Sequence, residues 1–199
     1  MMENRDIKIF PSPHDLFDAA AKDFMDRAMT AVSDKGVFSV VLSGGNTPKM
    51  FFETLTGIDS HTRTIPWQKI QFFFGDERYV SPKTNESNYH MAYDYLFSKV
   101  PVNAENIFRI PTEFPDPNDA AKDYEQTLRK AFHIKGNAFP AFDLVYLGLG
   151  DNAHTASLMP FSDIVTRYSD KVWSDGEGQL VASLWVPELN MYRMTLTPT

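Results

Sequence analysis

Three short stretches of this chain carry residue types that can do chemistry together: Ser43-Gly44-Gly45-Asn46-Thr47-Pro48, Gly75-Asp76-Glu77-Arg78, and Gly148-Leu149-Gly150-Asp151-Asn152-Ala153-His154. The last ends in a histidine, whose neutral imidazole can take a proton from water near pH 7. A helix beginning at residue 155 would favour that neutral ring, whereas Asp151 favours the imidazolium, and the sequence leaves the balance open. The first stretch has the composition of a phosphate cradle: two glycines allow close backbone approach, Ser43 and Thr47 carry hydroxyls, and a helix N-terminus favours an anion. An ordinary glycine-rich turn has the same composition, and neither the GxxxxGK[ST] nor the GxGxxG spacing is present. In the middle stretch, strand alternation puts Asp76 and Arg78 on one face and Glu77 on the other.

These residues need strands and helices to position them. Apolar, β-prone runs predict strands over residues 6–10, 37–42, 69–74, 107–110, 142–148 and 180–186, with a further one over 192–197. Helical spacing predicts helices over 13–33, 49–55, 88–99 and 119–132, the first with Leu16, Phe17, Ala20, Phe24, Ala28 and Val32 on its inner side. Thr47 has the chemistry of an N-cap and Pro48 that of a first helical residue. Residues 169–178 read as a polar, flexible segment. Strands alternating with helices predict one α/β domain over residues 1–199, a doubly wound, mostly parallel, Rossmann-like sheet. Such sheets take ligands where strands run into helices, which is where His154, the Ser43–Thr47 residues and Asp76 all fall.

Composition narrows the function. A chain of 199 residues with 43% hydrophobic and 14% aromatic content can bury a sizeable core. The net charge of −7 carries no basic stripe, which argues against nucleic acid and anionic membranes as partners. The absence of cysteine excludes disulfides and thiolate catalysis. His14, His61, His90, His133 and His154 form no pair at a metal-ligand spacing, so no metal site is expected. There is neither a leader-like apolar segment at the N-terminus nor a run long enough to span a bilayer, so the expected location is the cytoplasm.

Taken together, SGGNTP at 43–48, WQKIQFFFGDERYV through TNESN at 67–88, GLGDNAHTASLMP at 148–160 and RMTLT at 193–197 resemble the 6-phosphogluconolactonase family, in the same order and across the chain from about residue 8. The resemblance implies hydrolysis of 6-phospho-D-glucono-1,5-lactone to 6-phosphogluconate in the oxidative pentose phosphate pathway, with no metal or organic cofactor. It implies roles as well. Ser43, Gly44, Gly45, Thr47 and Arg193 would hold the substrate phosphate, and Asn88 would meet a ring hydroxyl. His154 would be the general base, Asp76 would orient or assist it, and Arg78 would bind substrate or steady the oxyanion.

The sequence departs from the family pattern at Asn152-Ala153, where aspartate-glycine is usual before the histidine. Relatives also continue beyond the RMTLT segment, with a lysine that meets the phosphate, so a chain ending at Thr199 is expected to be C-terminally shortened. That would leave apolar surface on the strands at 37–42 or 142–148 open to water and reduce both folding and activity. Two alternatives stand beside the lactonase reading. One is a glucosamine-6-phosphate deaminase or isomerase, against which HTASL after the glycine turn argues; the other is an inactive sugar-phosphate-binding fragment.

Overall fold

In a computed structural model, which describes residues 7–57, 64–136, 138–151, 154–156, 181–186 and 191–195, the chain opens on helix α1, Pro13–Lys35. Ser12 caps it by accepting the Asp15 amide, Pro13 occupies the first turn, and Gly36 ends it in a left-handed conformation with φ 81°. Phe17, Phe24 and Ala28 face inward as the spacing predicts, but Leu16 is 41% exposed and borders the cleft described below. The strand expected over 6–10 does not form in its described part: Ile7 and Ile9 are 81% and 91% exposed and carry no regular structure.

Strand β1 (Phe38–Leu42) is buried at every position, as a central parallel strand must be. Helix α2 (Asn46–Leu55), strand β2 (Ile70–Phe74), β3 (Asp76–Arg78), α3 (Asn88–Ala92), β4 (Ile107–Phe108), α4 (Pro117–Ala131), β5 (Leu144–Val145), β6 (Val181–Val186) and β7 (Met191–Thr195) follow. Among the described residues, a four-stranded sheet runs β4-β2-β1-β5, all parallel, and a three-stranded sheet runs β3-β7-β6, antiparallel. The parallel sheet with flanking helices is the α/β architecture expected. The antiparallel sheet is an addition. It forms because Gly75 breaks the run after β2, so that Asp76–Arg78 leaves the parallel ladder and pairs with β7 instead.

Other boundaries also shift. The helix expected over 88–99 is α-helical only through Ala92 and continues as a π-helical turn, Tyr93–Phe97. The strands expected over 107–110 and 142–148 shrink to two residues each. Leu144 and Val145 are only partly buried, because β5 has a strand on one side alone among the described residues. Leu147 and Leu149 beyond it are 63% and 79% exposed. By contrast β1, named with that run as at risk of losing its cover, is closed on both faces. The polar segment at 169–178 lies outside the described residues.

The core is aromatic and holds the ends of the strands in place. Phe73 stacks on Phe108 at 4.7 Å, and Phe24 meets Phe38 edge-on at 5.4 Å. Because β4 is so short, the outward amide and carbonyl of Phe74 have no strand to pair with. The buried Tyr124 hydroxyl takes both, accepting from Phe74 N at 3.0 Å and donating to Phe74 O at 3.2 Å. Helix α4 thereby fixes the chain one residue before Gly75 and Asp76.

A second clamp joins α1, β1 and β5. Asp143 Oδ2 accepts from the amide and hydroxyl of Ser39, both at 2.8 Å, and its Oδ1 pairs with Lys35 Nζ at 2.7 Å. Burial pushes the Asp143 carboxyl up, but Lys35 and Ser39 outweigh it and hold the group below its ordinary value. Its stabilisation is therefore complete above the ordinary carboxylate range and is lost as pH falls through the lowered folded-state value. Asp143→Ala is expected to cost about 2 kcal/mol in urea melts at pH 7, as for hydrogen bonds to a charged group, and less below pH 3. An equal cost at both pH values would contradict the clamp.

Candidate active site

The turn after β1 determines where the first motif points. Helix α2 starts two residues earlier than the Thr47 cap predicts: Gly45 is the N-cap, at φ 103°, a conformation glycine adopts without strain, and Asn46, Thr47 and Pro48 form the first turn. Pro48 costs nothing there, because the first four helical amides have no intrahelical acceptor. The first intrahelical bond is Lys49 N to Gly45 O at 3.2 Å. The amides of Gly45, Asn46 and Thr47 thus stand at the mouth of the helix, where its dipole favours an anion. Ser43 differs from its expected role: its hydroxyl donates to Tyr146 O at 2.7 Å, tying the loop to the end of β5 and leaving no proton for a phosphate.

A cleft of about 710 Å³ opens beside this loop. Ser43, Gly44, Gly45 and Thr47 line it from one side, Asp76, Arg78 and Asn88 from another, and His154 from a third. All three motifs therefore meet. Arg193 joins them through backbone register, lying opposite Asp76 in the β3–β7 ladder. As alternation requires, Asp76 and Arg78 face the cleft and Glu77 does not.

Asn88 ties two of the motifs together. It is buried, its Nδ2 donates to Asp76 O at 3.0 Å and to Asp76 Oδ1 at 3.2 Å, and its amide side chain packs so closely on Gly44 that a Cβ there would overlap it. Arg78 donates from Nη1 to Glu86 O at 3.2 Å, while its buried Nε finds no acceptor among the described residues. A guanidinium held this way is prepared to receive an anionic oxygen.

His154 sits over Gly150, whose amide donates to His154 O at 2.8 Å, and a Cβ on Gly150 would overlap the imidazole. Thr155 and Ala156 do not begin the helix expected after the histidine; Ala156 is in the left-handed region at φ 48°. The helix-dipole argument for a neutral ring has no support from these two residues, and residues 157–158, with Asn152 and Ala153, lie outside the described residues. Among the described residues no cluster of three or more metal-ligating side chains occurs, and no helix is long and apolar enough to cross a membrane.

Strand alternation turns Glu77 away from the cleft, and its sequence pattern assigns it no role. It is 2% exposed. Burial pushes its carboxyl above the ordinary glutamate value, offset only in part by the amides of Tyr89, Asn88 and Arg78 and the Ser87 hydroxyl. The available signal was the charge itself, since a carboxylate turned into a protein interior needs partners.

The glycine loop also makes a prediction. Gly45→Val forces a β-branched residue to φ 103° at the N-cap and should raise KM for a phosphorylated substrate about tenfold, given ~1–3 kcal/mol of backbone strain at such positions. Lys49→Ala should change KM little, because Lys49 lies over the Tyr95 ring at 4.4 Å and lines a neighbouring recess rather than the cleft. Steady-state kinetics of the two variants decide it, and a larger effect from Lys49 would remove the loop from phosphate binding.

Comparisons with known proteins show the family and the fold. The family model for glucosamine-6-phosphate isomerases/6-phosphogluconolactonase matches residues 11–199. A 6-phosphogluconolactonase of Synechocystis sp. is 39% identical over 84% of this chain and 68% of its own length, and one of Chlamydia pneumoniae is 35% identical over 93% of this chain and 64% of its own. This chain thus spans about two thirds of the length of those relatives. The solved 6-phosphogluconolactonase of Trypanosoma cruzi superposes over 100% of this chain and 76% of its own, at 28% identity and a TM-score of 0.73. A monomeric glucosamine-6-phosphate deaminase, 20% identical at a TM-score of 0.64 over 76% of this chain and 58% of its own, shares the fold.

Proposed function

Because the chain belongs to the glucosamine-6-phosphate isomerase/6-phosphogluconolactonase family, we propose that its cleft opens 6-phospho-D-glucono-1,5-lactone to 6-phosphogluconate, as a cytoplasmic enzyme of the oxidative pentose phosphate pathway. The observation that carries this reading is the meeting of a base, a guanidinium and a helix N-terminus in one cleft. The phosphate docks on the amides of Gly45, Asn46 and Thr47 with help from Arg193, and the Asn88 amide meets a ring hydroxyl.

The chemistry then needs only protein groups. The His154 imidazole takes a proton from water as the water oxygen bonds to C1, and the carbonyl electrons move onto its oxygen, which the Arg78 guanidinium steadies. Collapse re-forms the carbonyl and breaks the bond from C1 to the ring oxygen, which leaves with the proton held by the imidazolium. Asp76, fixed by Asn88, orients the water and the imidazole.

Product analysis separates this reaction from that of the deaminase branch. Incubation with the phosphorylated lactone should yield 6-phosphogluconate faster than spontaneous opening, and glucosamine 6-phosphate should yield no ammonia. Ammonia release without lactone opening would reverse the assignment.

A further inference from the structure

Glu77 lies directly between the two residues assigned to the cleft from its strand, Asp76 and Arg78, and behind the wall they form. Its Oε1 accepts from the amides of Arg78 at 2.8 Å and Asn88 at 2.7 Å. Its Oε2 accepts from the Tyr89 amide at 2.8 Å and the Ser87 hydroxyl at 3.1 Å. Two carboxylate oxygens offer about four lone-pair sites, so four donors saturate the group. Among the described residues no cation forms an ion pair with it. The partners belong to two segments only: the residue after Glu77, and the first turn of α3, which carries Asn88.

We propose that Glu77 is a positioning residue of this site: by gripping the backbone on both sides of the cleft wall, its carboxylate fixes the Asn88 side chain between Gly44 and Asp76 and thereby sets the Asp76 carboxylate. The path is continuous. Glu77 Oε1 holds Asn88 N, and the Asn88 side chain holds Asp76 Oδ1 at 3.2 Å while filling the space that Gly44 leaves open. Burying a carboxylate disfavours the fold unless its oxygens are satisfied, and a neutral glutamine has the same shape, so the advantage of the charge lies in accepting from four donors at once. Glutamine offers one acceptor oxygen, leaving the donors of one carboxylate oxygen facing an NH₂ group. Which of Asp76, Arg78 and Asn88 act on substrate rests on the function proposed above; that Glu77 orders Asn88 does not.

The test combines a double-mutant cycle with a spectroscopic readout on the full chain. Glu77→Gln should lower kcat/KM for the phosphorylated lactone about tenfold or more, since an ångström of misplacement is enough for such losses. In an Asn88→Ala background the same change should cost less than threefold, because the group through which Glu77 acts is gone. Equal factors in both backgrounds, or a loss under threefold in the parent, would overturn the proposal. In parallel, the side-chain amide signals of Asn88 in ¹⁵N-asparagine-labelled protein should move or broaden in Glu77→Gln, while those of Asn103 and Asn106, both bonded to Gln68 O, stay fixed. Ser87→Ala, which removes one donor and keeps the charge, should move the Asn88 signals in the same direction by less, and answers the question if Glu77→Gln does not fold. Unmoved Asn88 signals would refute the assignment. A chain that fails to open the lactone yet shows the Asn88 response would refute the proposed function and leave Glu77's positioning role standing.

Discussion

Replacing His154 with alanine is expected to lower kcat/KM for 6-phosphogluconolactone by at least ~10²-fold, the usual loss when a general base is removed. The imidazole lines the cleft beside Gly150, in the turn that follows β5, and the glycine loop that would hold the phosphate lines the same cleft. Its work comes in the transition state, when water gives up its proton. The loss should therefore fall on kcat, with KM within a few-fold of the parent. A variant that turns over within threefold of the parent would remove His154 from the mechanism.

Gly150→Ala is expected to come close to that effect without touching the histidine's chemistry. The added Cβ would overlap the imidazole of His154, and the Gly150 amide is also bonded to the His154 carbonyl at 2.8 Å, so ring and backbone cannot both keep their places. The backbone at Gly150 is not in the left-handed region, so the methyl introduces no conformational strain of its own and acts through the ring alone. Displacing a catalytic group by about 1 Å can cost ~10²-fold, which sets the expected fall in kcat. Gly148→Ala, whose Cβ would meet nothing within 4 Å, should cost far less. Kinetics and melting curves of the two variants check this: equal activities, or a Gly150 loss explained by unfolding, would contradict the close packing of glycine on histidine.

The meeting of the three motifs was legible in the sequence because each follows a run with unambiguous local chemistry. Val40, Val41 and Leu42 lead into paired glycines; Phe72, Phe73 and Phe74 lead into Gly75-Asp76; and the glycine turn leads to His154. Alternation also separated Asp76 and Arg78 from Glu77. What local pattern does not contain is partnership over distance. That Asp76–Arg78 forms its own strand depends on β7, more than a hundred residues later. The start of α2 at Asn46 depends on a backbone angle that Gly45 permits and its neighbours' propensities do not reveal. The use of Glu77 depends on the first turn of α3, ten residues on. Composition assigns Ser43 to the phosphate, whereas its hydroxyl is committed to the carbonyl of Tyr146, which follows β5, 103 positions away.

The central claim is that a helix N-terminus holds a phosphate so that His154 and Arg78 can open a lactone at the other end of the same molecule. The most direct measurement is the initial rate of lactone opening by the purified chain, followed by NMR, with glucono-1,5-lactone and its 6-phosphate compared at equal concentration. The phosphorylated lactone is expected to open well above the spontaneous rate, with the unphosphorylated lactone at least tenfold slower. Equal catalysed rates for the two lactones, or no acceleration of either, would contradict the claim.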